Sequence, residues 1–531
     1  MMRIGKILAV GLWATCLAAP AQEGRRGPFE VRHLAPYGRR VDTQFYDFTG
    51  DGLLDALVVS IDLDADPPNR WFALHAGRKD AGIPEKPDQI WSAAPATCAF
   101  ALGNVVPEGG VELLELAPDG VFYHAFERGE MTEEPRKLLH TATFFTAASS
   151  RSLPMWTPPV DLSNDKLDDL VIPVPDGYKV YFQTAPGLFG VVQKLEADLA
   201  PGQGSSVAAS RFAADWERLV ARGLPATAGL FNLQDELPRV TPIDINGDGL
   251  KDLASIAGDR MTIFFQRPGM KFSSGPKDRI QRLVSTLGAD DKKKDAISVS
   301  DTQFADIDGD GIVDFIVTKI EGEIGLLTSI KTRIYYHLGT GRGSFQADAN
   351  LFIDGISLNP AFIDMNGDGA LDVLTSRLRT DIIAKGVESA FFGDITVTYE
   401  VFQFDRKTRS YASKPVYDKD VFIRMEDIRR RGAASRPLFQ VPGDLSGDGR
   451  PDAVLYDPKT STLEVRRGRS KWEAGGGRQL IDFEMDAAAK FEVDKDHDPK
   501  WISYMDVDGD KKLDVLLNYS SQMIILLSRF K

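Results

Sequence analysis

Aspartates in this chain recur in one pattern. An Asp is followed two residues on by Asp, Asn, Ser or Thr, then by a second Asp, a Gly, and an Asp three residues further. With the first Asp as position one, the polar residues stand at positions one, three, five and nine. The first copy is Asp47, Thr49, Asp51 and Asp55, and the second Asp161, Ser163, Asp165 and Asp169. Asp244, Asn246, Asp248 and Asp252 follow, then Asp306, Asp308, Asp310 and Asp314. The last three are Asp364, Asn366, Asp368 and Asp372; Asp444, Ser446, Asp448 and Asp452; and Asp506, Asp508, Asp510 and Asp514. Carboxylates this close repel one another unless a cation lies between them. Ca²⁺ takes six to eight hard oxygen ligands, and positions one, three and five of a tight loop converge on one point. A backbone carbonyl near position seven and the position-nine carboxylate would complete the shell. Glycine at position six permits the positive φ that wraps such a loop. Lys166 and Lys511 replace it in two copies. Asp and Gly also favour metal-free turns, so a single copy would say little. Seven copies in series predict up to seven calcium ions.

The elements that must hold these loops are strands. An EF-hand needs a bidentate Glu at position twelve between two helices. Here position twelve is Val58, Ile172, Ser255, Val317, Thr375, Leu455 and Leu517. β-rich runs such as Ala56-Leu57-Val58-Val59 and Phe315-Ile316-Val317 follow the loops, and extended pairs such as Phe45-Tyr46 and Phe304-Ala305 precede them. Each loop is therefore expected to join two strands. A second hairpin follows, marked by an apolar strand, a turn and a returning aromatic, as from Ile263-Phe264-Phe265 to Phe272, Val401-Phe402 to Tyr411 and Leu463–Val465 to Trp472.

The spacing sets the architecture. Asp47 and Asp161 lie 114 residues apart, twice the 57 that separates Asp47 from Asn104. Asn104, Val106, Glu108, Gly109 and Glu112 then form a degenerate eighth copy, with metal binding in doubt there. A unit near 60 residues with two insertions, at about 198–236 and 378–396, accounts for the whole series. Such a period marks a solenoid or propeller, and two hairpins per unit make a four-stranded blade. The chain ends at Lys531 after strands Leu513–Asn518 and Met523–Ser528, one strand short of a blade. The segment Phe29–Leu34 would complete it. The expected fold is all-β: an eight-bladed propeller of four-stranded antiparallel blades, with seven blades as the alternative and the termini closing the last blade.

These loops resemble the FG-GAP/VCBS repeats of the integrin α-subunit head and of many exported bacterial proteins. The resemblance covers nearly all of the chain after its first residues. It implies a β-propeller with Ca²⁺ in the loop between strands A and B of each blade.

The remaining features bear on setting and activity. Arg3 and Lys6, the apolar stretch Ile7 to Leu17 and Ala19-Pro20-Ala21 read as a signal peptide (residues 1–21), leaving one domain over 22–531. A secreted or periplasmic monomer with no transmembrane span is expected. Cleavage removes Cys16 and leaves Cys98, read as a buried inert thiol. It also moves the net charge from −14 to −16, and seven Ca²⁺ would return it to −2. Nucleic acid is not expected as a partner of so acidic a chain. The 43% hydrophobic content excludes a disordered chain. The insertions, including a helix expected from Ser206 to Arg222, are placed on the face opposite the metal loops. The six histidines form no zinc spacing, and neither a nucleophile elbow nor a P-loop occurs. The chain therefore reads as a non-enzymatic scaffold that binds an extracellular or periplasmic protein or glycan. The alternative is a polysaccharide lyase or another carbohydrate-active enzyme on a propeller. A quinone-dependent dehydrogenase would share only the blade count.

Overall fold

Runs such as Ala56-Leu57-Val58-Val59 lack polar alternation, as a strand covered on both faces requires. In the computed structural model the strand Asp55–Asp62 is buried along its whole length except at Asp62. The structure describes residues 27–530, apart from 198–239, 283–295, 379–393, 425–438 and shorter stretches of one to six residues. The signal peptide and the expected helix at Ser206 to Arg222 lie outside the described residues, as does most of the second insertion.

Among the described residues the fold is all-β, with eight antiparallel blades. Blade 1 comprises Arg39–Tyr46, Asp55–Asp62, Asn69–His75 and Gln89–Ser92, side by side in chain order, here termed strands A to D. Seven blades have four strands of this kind. Blade 3 has three, Leu170–Val174, Gly177–Ala185 and Leu188–Glu196, and its strand A is reduced to a bridge between Val160 and Asp169. The degenerate copy at Asn104 is a full blade, built from Ala99–Gly103, Glu112–Ala117, Gly120–His124 and Arg136–His140. The count is therefore eight and not seven.

The ring closes as its composition requires. Phe29–Leu34 pairs antiparallel with Met523–Ser528, from Phe29 opposite Ser528 to Leu34 opposite Met523. Apolar clusters fill every junction between consecutive blades. Phe72 and Leu102 meet between blades 1 and 2, Ile316 and Phe402 between blades 5 and 6, and Val58 and Ile525 between blades 8 and 1. A polar cluster braces the first junction. Glu115 and His124 of blade 2 are fully buried and pair at 3.2 Å, while Arg70 of blade 1 donates to the carbonyls of Ala94, Pro95 and Thr97 in the connecting segment.

One expectation needs correction. The spacing predicts the returning aromatic on the far strand of the second hairpin. In blades 4, 6 and 7 it lies instead in a two-stranded ribbon between strands C and D. These ribbons pair Gln266–Arg267 with Lys271–Phe272, Phe404–Asp405 with Ser410–Tyr411, and Gly468–Trp472 with Gln479–Phe483. The fourth strand follows later, as Ile280–Arg282, Tyr417–Arg424 and Ala489–Glu492. The aromatic is drawn there by packing: Phe272 stacks on Phe182 of blade 3, and Tyr411 packs edge-on against Tyr336 of blade 5.

The clasp between the chain ends yields a prediction. Phe29 is wholly buried and makes edge contacts with Phe491 and Phe530. Phe29→Ala should cost about 3–5 kcal/mol, the usual loss for a buried Phe. Denaturant unfolding checks it; a loss below about 1 kcal/mol would show that the clasp carries little of the ring's stability.

Candidate metal centres

Each of the seven acidic loops connects strands A and B, and each is held in shape by its own carboxylates. In the first loop the position-one carboxylate of Asp47 accepts the backbone N–H groups of Asp51 and Gly52 at 3.0 and 2.8 Å. Asp51 at position five accepts the N–H of Leu53 at 2.9 Å. The same bonds recur in the other loops, as from Gly449 to Asp444 and from Arg450 to Asp448, except that the Asp510 N–H of the last loop donates to Asp508. The loops without glycine at position six keep this conformation: Lys166 and Lys511 adopt φ values of 72° and 68°. Left-handed backbone costs a side-chain-bearing residue about 1 kcal/mol, so the loop tolerates lysine at small expense.

Position nine has a role that the spacing alone did not disclose. Asp55, Asp169, Asp252, Asp314, Asp372, Asp452 and Asp514 are all completely buried. One oxygen of each accepts the N–H of position two, as from Ile307 to Asp314 at 2.7 Å. The other accepts an N–H at the end of strand C or just beyond it, as from Gly339 to Asp314 at 2.7 Å and from Ser528 to Asp514 at 2.7 Å. The carboxylate thus brackets the A–B loop to the second hairpin. Each oxygen carries two lone pairs, so the bracket leaves capacity for a cation. The degenerate loop keeps the position-two bond and loses the position-three ligand: Glu112 accepts the N–H of Val105 at 2.8 Å, while position three is the buried Val106. The sequence signal for the bracket was available at position two, which is apolar in every copy: Phe48, Leu162, Ile245, Ile307, Met365, Leu445 and Val507.

Burial raises these carboxyls. Asp169, Asp252 and Asp314 are pushed to about 6, and Asp372 and Asp514 to about 7, by desolvation first. The backbone donors oppose the shift, and the nearby loop aspartates add to it. The folded, ion-free chain therefore holds more protons than the unfolded chain between about pH 4 and 7. Its stability should fall as pH rises through about 6 to 7. In chelator the protein should melt higher near pH 5 than near pH 7.5, by several degrees. A cation favours the ionised carboxylates, so calcium should weaken or reverse that slope. An ion-free melting temperature that rises over this window would contradict the assignment.

The residues fit a hard divalent cation. The donors are oxygens only, and carboxylate oxygens of Asp306, Asp308 and Asp314, and likewise of Asp506, Asp508 and Asp514, lie within 4.8 Å of one another. Thr49 Oγ1, Ser163 Oγ and Asp308 Oδ1 are buried without a hydrogen-bond partner. All three are position-three oxygens. Buried polar atoms are nearly always partnered, and the same orphan recurring at one loop position marks a ligand position.

Neighbouring loops also touch. Asn164 donates to the Gly249 carbonyl at 2.9 Å, and Leu371 N–H to Ile307 at 2.7 Å. A side chain at Gly309 would collide with the Gly369 carbonyl. Between the loops of blades 6 and 7 lies a cavity of about 420 Å³, walled by Asp364, Asn366, Asp444, Arg450, Arg469 and Phe483. Cys98 is buried and unpaired, and burial pushes its thiol up. Among the described residues no helix is long and apolar enough to cross a membrane.

The family described as FG-GAP-like repeat matches residues 244–317 and 306–375, which span the loops of blades 4, 5 and 6. No curated protein matches the chain. Among solved structures, Sqt1 from Chaetomium thermophilum is 10% identical, with 94% of this chain and 98% of that chain covered and a TM-score of 0.44. An Agrocybe aegerita lectin that recognises non-reducing terminal N-acetylglucosamine is 13% identical, with 85% and 93% covered and a TM-score of 0.37. The V. cholerae biofilm matrix protein Bap1 is 10% identical, with 94% and 88% covered and a TM-score of 0.33. Eight blades with one bracketed loop repeated from blade to blade make the chain an eight-bladed β-propeller, and its central loops, residues 244–317 and 306–375, match the FG-GAP-like repeat.

Proposed function

We propose that this chain is an exported, calcium-stabilised propeller that serves as a binding scaffold for an extracellular or periplasmic protein or glycan. The observation that carries the reading is the set of seven bracketed, oxygen-lined loops in one closed ring. Calcium held by positions one, three and five, with position nine behind them, neutralises the loop carboxylates and makes the rim rigid. Loops on such a scaffold are where binding tends to reside. Two places suit a ligand. The cavity between blades 6 and 7 has the size of a small-molecule site and offers Arg450 and Arg469 beside acceptors and Phe483. The long inserted segments leave and re-enter the ring at the opposite rim, after Glu196 and before Val240, and between Leu378 and Asp394.

A glycan array probed with the mature protein tests the proposal, once with Ca²⁺ and once with chelator, alongside turnover assays on acidic polysaccharides. Saturable, chelator-sensitive binding without bond cleavage is expected. Release of unsaturated oligosaccharides would replace the scaffold reading with a lyase. N-terminal sequencing of the protein recovered from its host tests export, with cleavage after Ala21 as the expected result.

A further inference from the structure

Only two of the seven loops have a carboxylate at position three: Asp308 and Asp508. The other five carry Thr49, Ser163, Asn246, Asn366 or Ser446 there. These same two loops receive an arginine from outside. Arg409, in the turn of the blade 6 ribbon, pairs with Asp308 of blade 5 and lies 3.3 Å from Asp310. Arg529, just past the last strand, lies 2.6 Å from Asp508 and 3.6 Å from Asp510. Among the described residues no lysine or arginine pairs with the aspartates at positions one and five of the other five loops. Arg406, the nearest comparison, donates only to the carbonyls of Asp368 and Gly309.

The charges then balance. Counting positions one, three, five and nine alone, a loop with a neutral position three has three carboxylates and a charge of −3. A loop with Asp308 or Asp508 has four, and its arginine restores −3. Asp308 is split between the two roles. It is 5% exposed, one oxygen holds Arg409, and the other is buried with no hydrogen-bond partner. Arg409 holds its place at φ 51°, a conformation that glycine would adopt more easily.

We infer that Arg409 and Arg529 are built-in counter-cations. They relieve repulsion in the two loops with a carboxylate at all four motif positions when no ion is bound, and they hold those loops' affinity for a divalent cation down to that of their neighbours. In blade 8 the same guanidinium also ties the loop to the ring clasp. Arg529 Nε lies 3.2 Å from Glu30, and Arg529 N–H donates to Pro28. Ion uptake at Asp506–Asp514 is thereby coupled to the strand Phe29–Leu34. The affinity part rests on the proposal that the loops bind calcium; the ion-free part does not.

Arg409→Gln, Asp308→Asn, the double variant and Arg529→Gln test it in the full mature chain. Calcium affinity is read by competition with a chromophoric chelator, and stability by melts in excess chelator. Arg409→Gln should tighten one site about tenfold, the scale of a unit charge acting on a divalent ion about 6 Å away through water-like screening, and should lower the ion-free melting temperature. Adding Asp308→Asn should reverse both changes. Arg529→Gln should lower the ion-free melt further than Arg409→Gln and speed hydrogen exchange in Phe29–Leu34. A wild-type chain that takes up no ion would overturn the calcium reading while the chelator melts still report on the counter-cation. Equal ion-free melts in wild type and both arginine variants, or weaker calcium binding in Arg409→Gln, would overturn the counter-cation itself.

Discussion

Chelation should lower the melting temperature of this protein by roughly 10–20 °C. An ion that binds only the folded chain contributes RT ln(1 + [L]/Kd), about 2.7 kcal/mol at a hundredfold excess over Kd. Seven such sites approach about 19 kcal/mol. Unfolding entropy near 2.1 cal/mol/K per residue gives about 1 kcal/mol per degree for a chain of this length. The loops are in contact, as between Leu371 and Ile307 and between Asn164 and Gly249, so the loss should reach the whole rim and not one blade. Differential scanning calorimetry with and without chelator, together with metal analysis of the purified chain, measures this. An unchanged melt with no bound metal would reduce the loops to acidic turns. The eight blades would stand, because the apolar clusters between them need no ion.

A position-nine substitution should be the most damaging single change in any loop, and it should damage the protein in chelator as well. Asp372 is fully buried and accepts the N–H groups of Met365 and Phe404 at 3.2 and 3.0 Å. Asp372→Ala leaves both donors buried without a partner. At about 1–3 kcal/mol each, with the cavity added, the loss should be about 3–6 kcal/mol. Asp364→Ala at position one of the same loop removes an acceptor from Asp368 and Gly369, which are exposed and can turn to water. Its cost should appear chiefly as lost calcium stabilisation. Asp372→Asn keeps one acceptor and should fall between the two. Denaturant unfolding of the three variants, with and without Ca²⁺, separates the roles. If Asp372→Ala and Asp364→Ala lost the same stability, and only when calcium was present, position nine would be a ligand and not a bracket.

Much of the candidate site was legible because it is local. Nine consecutive residues contain every proposed side-chain ligand of a loop, so their types and spacing speak directly. The bracket was only half legible. Its first partner, position two, lies seven residues from position nine, but its second comes from beyond strand C, as with Phe404 for Asp372, 32 residues away. Position four is left-handed as well, and glycine marks it in six copies. Asn164 takes that place in the remaining loop with φ 63°, a conformation its short polar side chain tolerates. The counter-cations were not legible at all, since Arg409 meets Asp310 across 99 residues.

The sequence by itself determined the all-β class, the blade as a repeating unit and the closure of the last blade by Phe29–Leu34, and it narrowed the count to seven or eight. Each follows from periodicity and from apolar runs, which record the burial of a strand between two neighbours wherever that strand sits. Only the tertiary structure decided which polar groups meet across blades: Arg409 with Asp308, Arg529 with Asp508 and Glu30, and Glu115 with His124. Hydrophobic burial is non-directional and leaves its mark on composition. Ion pairs and hydrogen bonds act within a few ångströms and need defined angles. Their partners are therefore set by how the blades are placed, and that placement exists only once the ring has closed.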